Sequence, residues 1–171
     1  MTRVAIGPVT RSEHRRAVAE WHSHHKAAVG ERLALGAFVG DALVATAVWS
    51  DPVAPALRSR WCWEMTRLAV GPDAPPHTAS RLLGAATRAA LALGLRRLVS
   101  YTRADERGTC YRAAGWHPTA HVPAEDWHRR RQSTPSAWLP GLFVPSAAPV
   151  DRVRWERGPS ADAPAWELVA P

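Results

Sequence analysis

Lysine is nearly missing from this chain: of 22 basic residues, only Lys26 is a lysine and the rest are arginines. Cysteine is also scarce. Cys62 and Cys110 are the only two, and neither belongs to a C-x-x-C pair. That excludes a disulfide framework and leaves both thiols readable as small, reduced, core-filling residues. No apolar run approaches the roughly 18 residues of a membrane span. The segment Met1 to Ile6 has neither the long apolar stretch nor the small-residue cleavage site of a secretory signal. A cytoplasmic protein with no membrane partner is the expectation. Internal repeats and long low-complexity tracts are absent as well.

What is present fits one domain. A chain of 171 residues can bury a substantial single core. We read residues 1–157 as that domain and 158–171 as a tail. The formal net charge of +7 fits a phosphate-bearing partner such as nucleic acid or CoA. It fits a base-composition bias towards Arg and Ala equally well, so charge alone decides nothing.

Along the chain, Arg3 to Ile6 reads as a short strand. Thr10-Arg11-Ser12-Glu13 is a capping box, and the spacing of Ala17, Val18 and Trp21 predicts a helix behind it. Two partly β-branched runs, Leu33–Val39 and Leu43–Trp49, flank Gly40-Asp41 as in a hairpin. Arg60 to Val70 reads as a strand. Strict alternation puts Cys62, Glu64, Thr66 and Leu68 on one face, with Trp63, Met65 and Arg67 on the other. A proline-rich loop from Gly71 leads to a helix over Ala79–Leu93, stopped by Gly94. Arg97–Thr102 is a strand, Ala104–Ala114 a second helix closed by Gly115, and Trp116–Val122 a further strand. Beyond Pro123 a Pro/Ser/Ala-rich stretch predicts a long loop, and Val153–Glu156 a last strand. The fold class is α/β (α+β): a mixed central twisted sheet of about 6–7 strands flanked by helices.

Two segments carry chemistry. In Pro75 to Arg81 a loop meets a helix N-terminus, where free backbone N–H groups and the helix dipole favour an anion. Thr78 and Ser80 add hydroxyls and Arg81 adds charge, although an ordinary N-cap explains the same residues. The second segment is Cys110-Tyr111-Arg112-Ala113-Ala114-Gly115-Trp116. By itself it reads as a short helix with a core tyrosine. The group His22, His24, His25 and Lys26 suits substrate contact or a solvated helix end. Its H-x-H-H spacing lacks the i, i+4 pair of a helical zinc site, so no metal is expected. The chain has nine tryptophans. Trp49 and Trp63 read as core, while Trp127, Trp138 and Trp155 lie near arginines as in a base-stacking surface.

In this order and spacing, the strand, loop, long helix, strand and Tyr111-x-x-x-Gly115-Trp116 helix resemble the GNAT acyltransferase superfamily. The resemblance spans roughly residues 30 to 122. Its loop usually reads Arg or Gln, two residues, Gly, one residue, then Gly or Ala; here only Ala79 fits, and His77 stands near the first Gly position. The strand Glu64-Met65-Thr66-Arg67-Leu68, the glycine-poor loop and Ser100-Tyr101 are similar to the Mom group, phage proteins that modify adenine in DNA. A set of phage and bacterial relatives of that group is similar in His22 to Lys26, Gly30, Leu35-Gly36-Ala37, the Glu64 to Arg67 strand and Arg154-Trp155-Glu156, and with it the likeness extends over roughly residues 18 to 157.

The resemblance implies acetyl-CoA or another acyl-CoA as donor, bound by Leu68, Ala69, Val70, His77, Thr78, Ala79, Ser80 and Arg81. It implies catalytic positions at Arg67, Ser80 and Tyr111. Glu64, buried in a cleft, would add a base of raised pKa. The acidic residue of the group has no clean match: Asp105 is nearest and Arg103 stands at the ungapped position. The implied acceptor is a nucleobase or modified nucleotide in DNA. Two other readings stay open: N-acetylation of a small-molecule or protein amine, and a non-catalytic nucleic-acid-binding module.

Overall fold

The computed structural model describes residues 3–21, 30–124 and 150–158. Their elements run β1 (Ala5–Pro8), α1 (Arg11–Trp21), β2 (Glu31–Val39), β3 (Ala42–Ser50), β4 (Cys62–Val70), α2 (Thr78–Ala92), β5 (Arg97–Arg103), α3 (Thr109–Ala113), β6 (His117–Val122) and β7 (Arg152–Arg157). The strands form one seven-stranded sheet in the order β1-β2-β3-β4-β5-β7-β6. Every neighbouring pair is antiparallel except β4 and β5, which are parallel and joined through α2. This is the mixed, helix-flanked sheet that the sequence predicts.

The capping box closes as expected. The Thr10 N–H donates to Glu13 Oε2 at 2.8 Å, and the Glu13 N–H donates to Thr10 Oγ1 at 3.3 Å. Arg11 and Arg15 then tie α1 to β2 by donating to Glu31 at 2.7 and 3.0 Å. The helix expected over Ala104–Ala114 is shorter than its composition suggests. It begins only at Thr109, after Gly108 in a left-handed conformation (φ 59°). A Cβ on Gly108 would lie 2.1 Å from the Trp155 ring. That ring occupies the space a longer helix would need.

The face assignment of β4 needs correction. Val48 pairs with Arg67 and Trp49 pairs with Met65, so Thr66 is an extra residue with no place in the register of β3. Such a bulge shifts the alternation of side chains by one. Directly paired residues share a face, so Arg67 joins Glu64, while Leu68 joins Met65. The strand therefore presents its acid and its arginine on the same face.

Helix α2 covers the Met65 face. Leu82, Leu83, Ala86 and Ala90 pack there in one core with Ala45, Ala47, Trp49 and Met65. Trp49 stacks on Trp116 at 6.0 Å, and Trp116 Nε1 donates to Thr87 Oγ1 of α2 at 3.0 Å. Helix α1 covers the opposite face, gripping Glu31, which pairs with Ser50 just as Ser50 pairs with Glu64. The expected core role holds for Trp49, fully buried, and Trp63 is half-buried against the same core. Trp155 is not on a stacking surface: it is 2 % exposed and its Nε1 donates to Thr102.

Candidate active site

The parallel pairing of β4 and β5 starts at Cys62–Arg97 and ends at Met65–Ser100. Beyond that point β4 continues to Val70 and β5 to Arg103 without pairing, so the sheet opens as a fork. A cavity of about 570 Å³ lies in the fork. Residues from both sheet faces line it. Glu64, Arg67, Arg103 and Arg152 come from the α1 side, and Met65, Ser100 and Tyr111 from the α2–α3 side. With Arg107 and Glu106 the lining holds four arginines and two glutamates, and one of the arginines, Arg103, is paired with Asp105.

Tyr111 is buried against the base of the fork. Its ring stacks on Trp155 at 5.4 Å and meets Trp116 edge-on at 5.6 Å. Its hydroxyl lies 2.8 Å from Ser100 Oγ. Ser100 Oγ donates to the Met65 carbonyl at 3.0 Å. A serine has one proton and a carbonyl can only accept, so Tyr111 is the donor to Ser100. Burial pushes the phenol's pKa well above its ordinary value, against the opposing effect of the Ser100 hydrogen bond. Tyr111 therefore stays protonated.

Glu64 is 5 % exposed. Burial pushes its carboxyl up to about 7, opposed by the Val53 N–H donated to Oε2 at 2.9 Å and by the charges of Arg67 and Arg152. A carboxyl poised there is half ionised near neutrality, as a general base requires. Arg67 Nη1 donates to the Thr66 carbonyl at 2.6 Å, which holds the guanidinium beside the bulge.

The backbone of β4 refines the expected donor-binding residues. The Gly71 N–H donates to Val44 of β3 at 2.9 Å. Successive strand N–H groups point to opposite edges. The Ala69 N–H therefore also faces β3, and those of Leu68 and Val70 face the open fork. Ala69, 2 % exposed, does not line the cavity, whereas Leu68 and Val70 do.

At the start of α2, His77 is the N-cap, with φ 66° and ψ 6°. It is the one non-glycine residue with positive φ among the described residues. This is the conformation a glycine adopts without cost. Thr78 turns inward: it is 1 % exposed, and its hydroxyl donates to the Pro75 carbonyl at 2.7 Å. The expectation that its side chain faces a ligand is thus overturned. Ser80 Oγ likewise donates to the His77 carbonyl at 3.0 Å. The Arg81 N–H makes the first full helical turn back to His77, leaving those of Ala79 and Ser80 without intrahelical acceptors. Of these loop and helix residues, Ala79 lines the cavity.

His22, His24, His25 and Lys26 follow Trp21 and lie outside the described residues, as do Trp127, Trp138 and the tail from 159. Asp105 does not line the cavity; it is bound in a fork by Arg103 at 3.0 and 2.8 Å, and it is Arg103 that faces inward. Among the described residues no three His, Cys, Asp or Glu side chains gather as a metal site. None of the described helices is long and apolar enough to cross a membrane. Ser100 and Arg152 were missed as site residues. Ser100 had a visible signal, a polar residue inside the apolar run Leu98-Val99-Ser100. Arg152 had none, because the pairing of β7 beside β5 brings it in from a distant part of the chain.

The seven-stranded sheet, its parallel fork and the short helix that carries Tyr111 make up a GNAT-like fold. Solved structures share it. The chain matches a Bacillus subtilis acetyltransferase in complex with CoA at 16% identity and TM-score 0.57, covering 92% of this chain and 99% of that one. It matches the Escherichia coli ribosomal-protein-S18-alanine N-acetyltransferase at 11% identity and TM-score 0.64, covering 94% and 99%. A Brucella melitensis ribosomal-protein-alanine N-acetyltransferase matches at 13% identity and TM-score 0.63, covering 90% and 99%. No curated protein matches. Within this fold the chain belongs to the Mom protein family, which matches residues 3–134.

Proposed function

We propose that this protein transfers an acyl group from an acyl-CoA to an amine, and that the acceptor is a nucleobase or modified nucleotide in DNA. One observation carries the reading. The fork between β4 and β5 opens onto both faces of the sheet, with Glu64 on one face and Tyr111 on the other.

The residues fit an acyl-CoA donor. The N–H groups of Leu68 and Val70 on the open edge of β4 can bind the thioester carbonyl and the amide chain behind it. The first turn of α2, with the Ala79 and Ser80 N–H groups and Arg81, suits a pyrophosphate. The acceptor enters from the Glu64 face. Deprotonated Glu64 takes a proton from the attacking amine, directly or through water. The Leu68 N–H stabilises the tetrahedral oxyanion. As the carbon–sulfur bond breaks, its electron pair stays on sulfur, and Tyr111 supplies the proton that makes the free thiol. Atoms balance as thioester plus amine giving amide plus thiol.

Family membership and the four arginines of the cavity support a DNA acceptor. The structural neighbours named as ribosomal-protein-alanine N-acetyltransferases support a second reading, an amine on a protein or small molecule. Mass spectrometry of nucleosides from cells expressing the protein separates the two. A new nucleoside mass that is lost in Tyr111→Phe supports the DNA reading, and unchanged nucleosides oppose it. Calorimetry with acetyl-CoA and CoA tests both. Failure to bind at millimolar concentration would sink each of them and leave a non-catalytic binding module.

A further inference from the structure

We infer that Ser100 is a positioning residue for acyl transfer, holding the Tyr111 phenol in place at rest and donating a hydrogen bond to it as it gives up its proton. The inference rests on the acyl-transfer reading above and deepens it. At rest the order of donation is fixed: Tyr111 donates to Ser100 Oγ at 2.8 Å, and Ser100 donates to the Met65 carbonyl at 3.0 Å. Met65 and Ser100 are also the last paired residues before the fork opens. The chain of hydrogen bonds therefore sits at the base of the cavity and links β4, β5 and α3.

The geometry sets a requirement. Tyr111 is 6 % exposed, and the Trp155 and Trp116 rings take up two sides of it. A phenolate formed there without a donor would be a buried, unpaired charge. Ser100, 1 % exposed, is the hydroxyl within hydrogen-bond distance. As the Tyr111 proton moves to the leaving sulfur, rotation of the Ser100 hydroxyl carries its own proton from the Met65 carbonyl to the phenolate oxygen. The serine keeps that proton throughout. Glu64 gives its proton to solvent and solvent returns one to the phenolate before the next turnover, and Ser100 turns back to Met65. The Met65 carbonyl is the resting place of the serine proton, and its position at the fork ties that rest state to the strand that binds the donor.

The test is a double-mutant cycle on the full chain, with acetyl-CoA as donor and an adenine-containing oligodeoxynucleotide as acceptor, read as release of free thiol. Ser100→Ala is expected to lower kcat about 10- to 100-fold with KM for acetyl-CoA within about twofold. In a Tyr111→Phe background it should lower kcat no further, because the group it serves is gone. A second, equal loss in that background overturns the role of Ser100 while leaving acyl transfer intact. If Tyr111→Phe itself leaves kcat unchanged, the acid role of Tyr111 fails instead. A readout independent of turnover is the tyrosine doublet in the Raman spectrum, which distinguishes a donating from an accepting phenol. In a Tyr101→Phe protein, Tyr111 is the sole tyrosine left. Its strong-donor signature should vanish on Ser100→Ala and be partly retained on Ser100→Cys, whose sulfur is a weak acceptor for the phenol. A donor signature unchanged by Ser100→Ala overturns the proposal, and Ser100→Cys keeps the test open should the alanine variant misfold.

Discussion

Glu64 makes opposite contributions to activity and to stability. Its carboxyl is driven up to about 7 by burial, from an ordinary value of 4.5. A folded pKa above the unfolded one means the group favours folding fully at low pH, and that contribution is lost as pH rises through the folded value. The gap corresponds to about 3 kcal/mol at alkaline pH. Glu64→Gln removes the penalty, so it should raise Tm at pH 8 and leave it nearly unchanged at pH 4, measured by thermal melts at both. Under the proposed mechanism the sign reverses for catalysis: the carboxylate form is the one that takes the amine proton. Wild-type kcat/KM should climb through pH 7, and Glu64→Gln should lower it 100-fold or more and flatten that limb. Higher stability with lower activity is the signature of a carboxylate kept buried for function. A glutamine variant less stable at pH 8 would contradict this account.

At the scale of elements, the site depends on two tight backbone positions. Gly108 starts α3 at positive φ, with the Trp155 ring where a Cβ would go. Gly108→Ala should therefore cost more than about 2 kcal/mol in denaturant unfolding, through both the backbone and the clash. It should also lower kcat, because Trp155 is the ring on which Tyr111 stacks. His77 presents the complementary case: a side chain in a conformation that glycine adopts freely. His77→Gly should unfold within about 0.5 kcal/mol of wild type or be more stable, while the β-branched His77→Val should lose about 1–2 kcal/mol. These elements also show what the chain made legible. The capping box, the Gly40-Asp41 hairpin and the Gly94 stop follow from local chemistry, and each is found where it was read. The bulge at Thr66 was illegible, since alternation alone gives no sign of an unpaired residue. It moved Arg67 onto the face of Glu64. The length of α3 is hidden for a similar reason: Ala104 to Ala114 has helical composition, but a ring from β7 decides where the helix starts. The place of Thr78 in a loop suggests a ligand-facing hydroxyl, and only tertiary burial turns it inward.

Across the whole molecule, topology gathers charge that the linear chain disperses. Because β7 inserts between β5 and β6, Arg152 lies opposite Arg103 and joins it, Arg67 and Arg107 in lining the cavity. The full chain carries +7. A strand of DNA that docked on this cavity would place phosphates against those guanidiniums and release counterions. For three to four such contacts on single-stranded DNA, log K should fall against log salt with a slope of about −2 to −3. A small amine acceptor would release none, and its binding would be nearly flat in salt. Arg152→Gln separates local from global charge. If Arg152 meets a phosphate, its loss should make the slope shallower by about 0.7 and weaken binding to every sequence alike. If the +7 acts only as a diffuse field, removing one charge from β7 should leave the slope almost where it was. Fluorescence anisotropy with a labelled adenine-containing oligonucleotide, titrated from low to physiological salt, reads both quantities. A flat salt dependence in the wild type would remove DNA as the acceptor and leave the amine of a protein or small molecule, with the chemistry of Glu64 and Tyr111 unchanged.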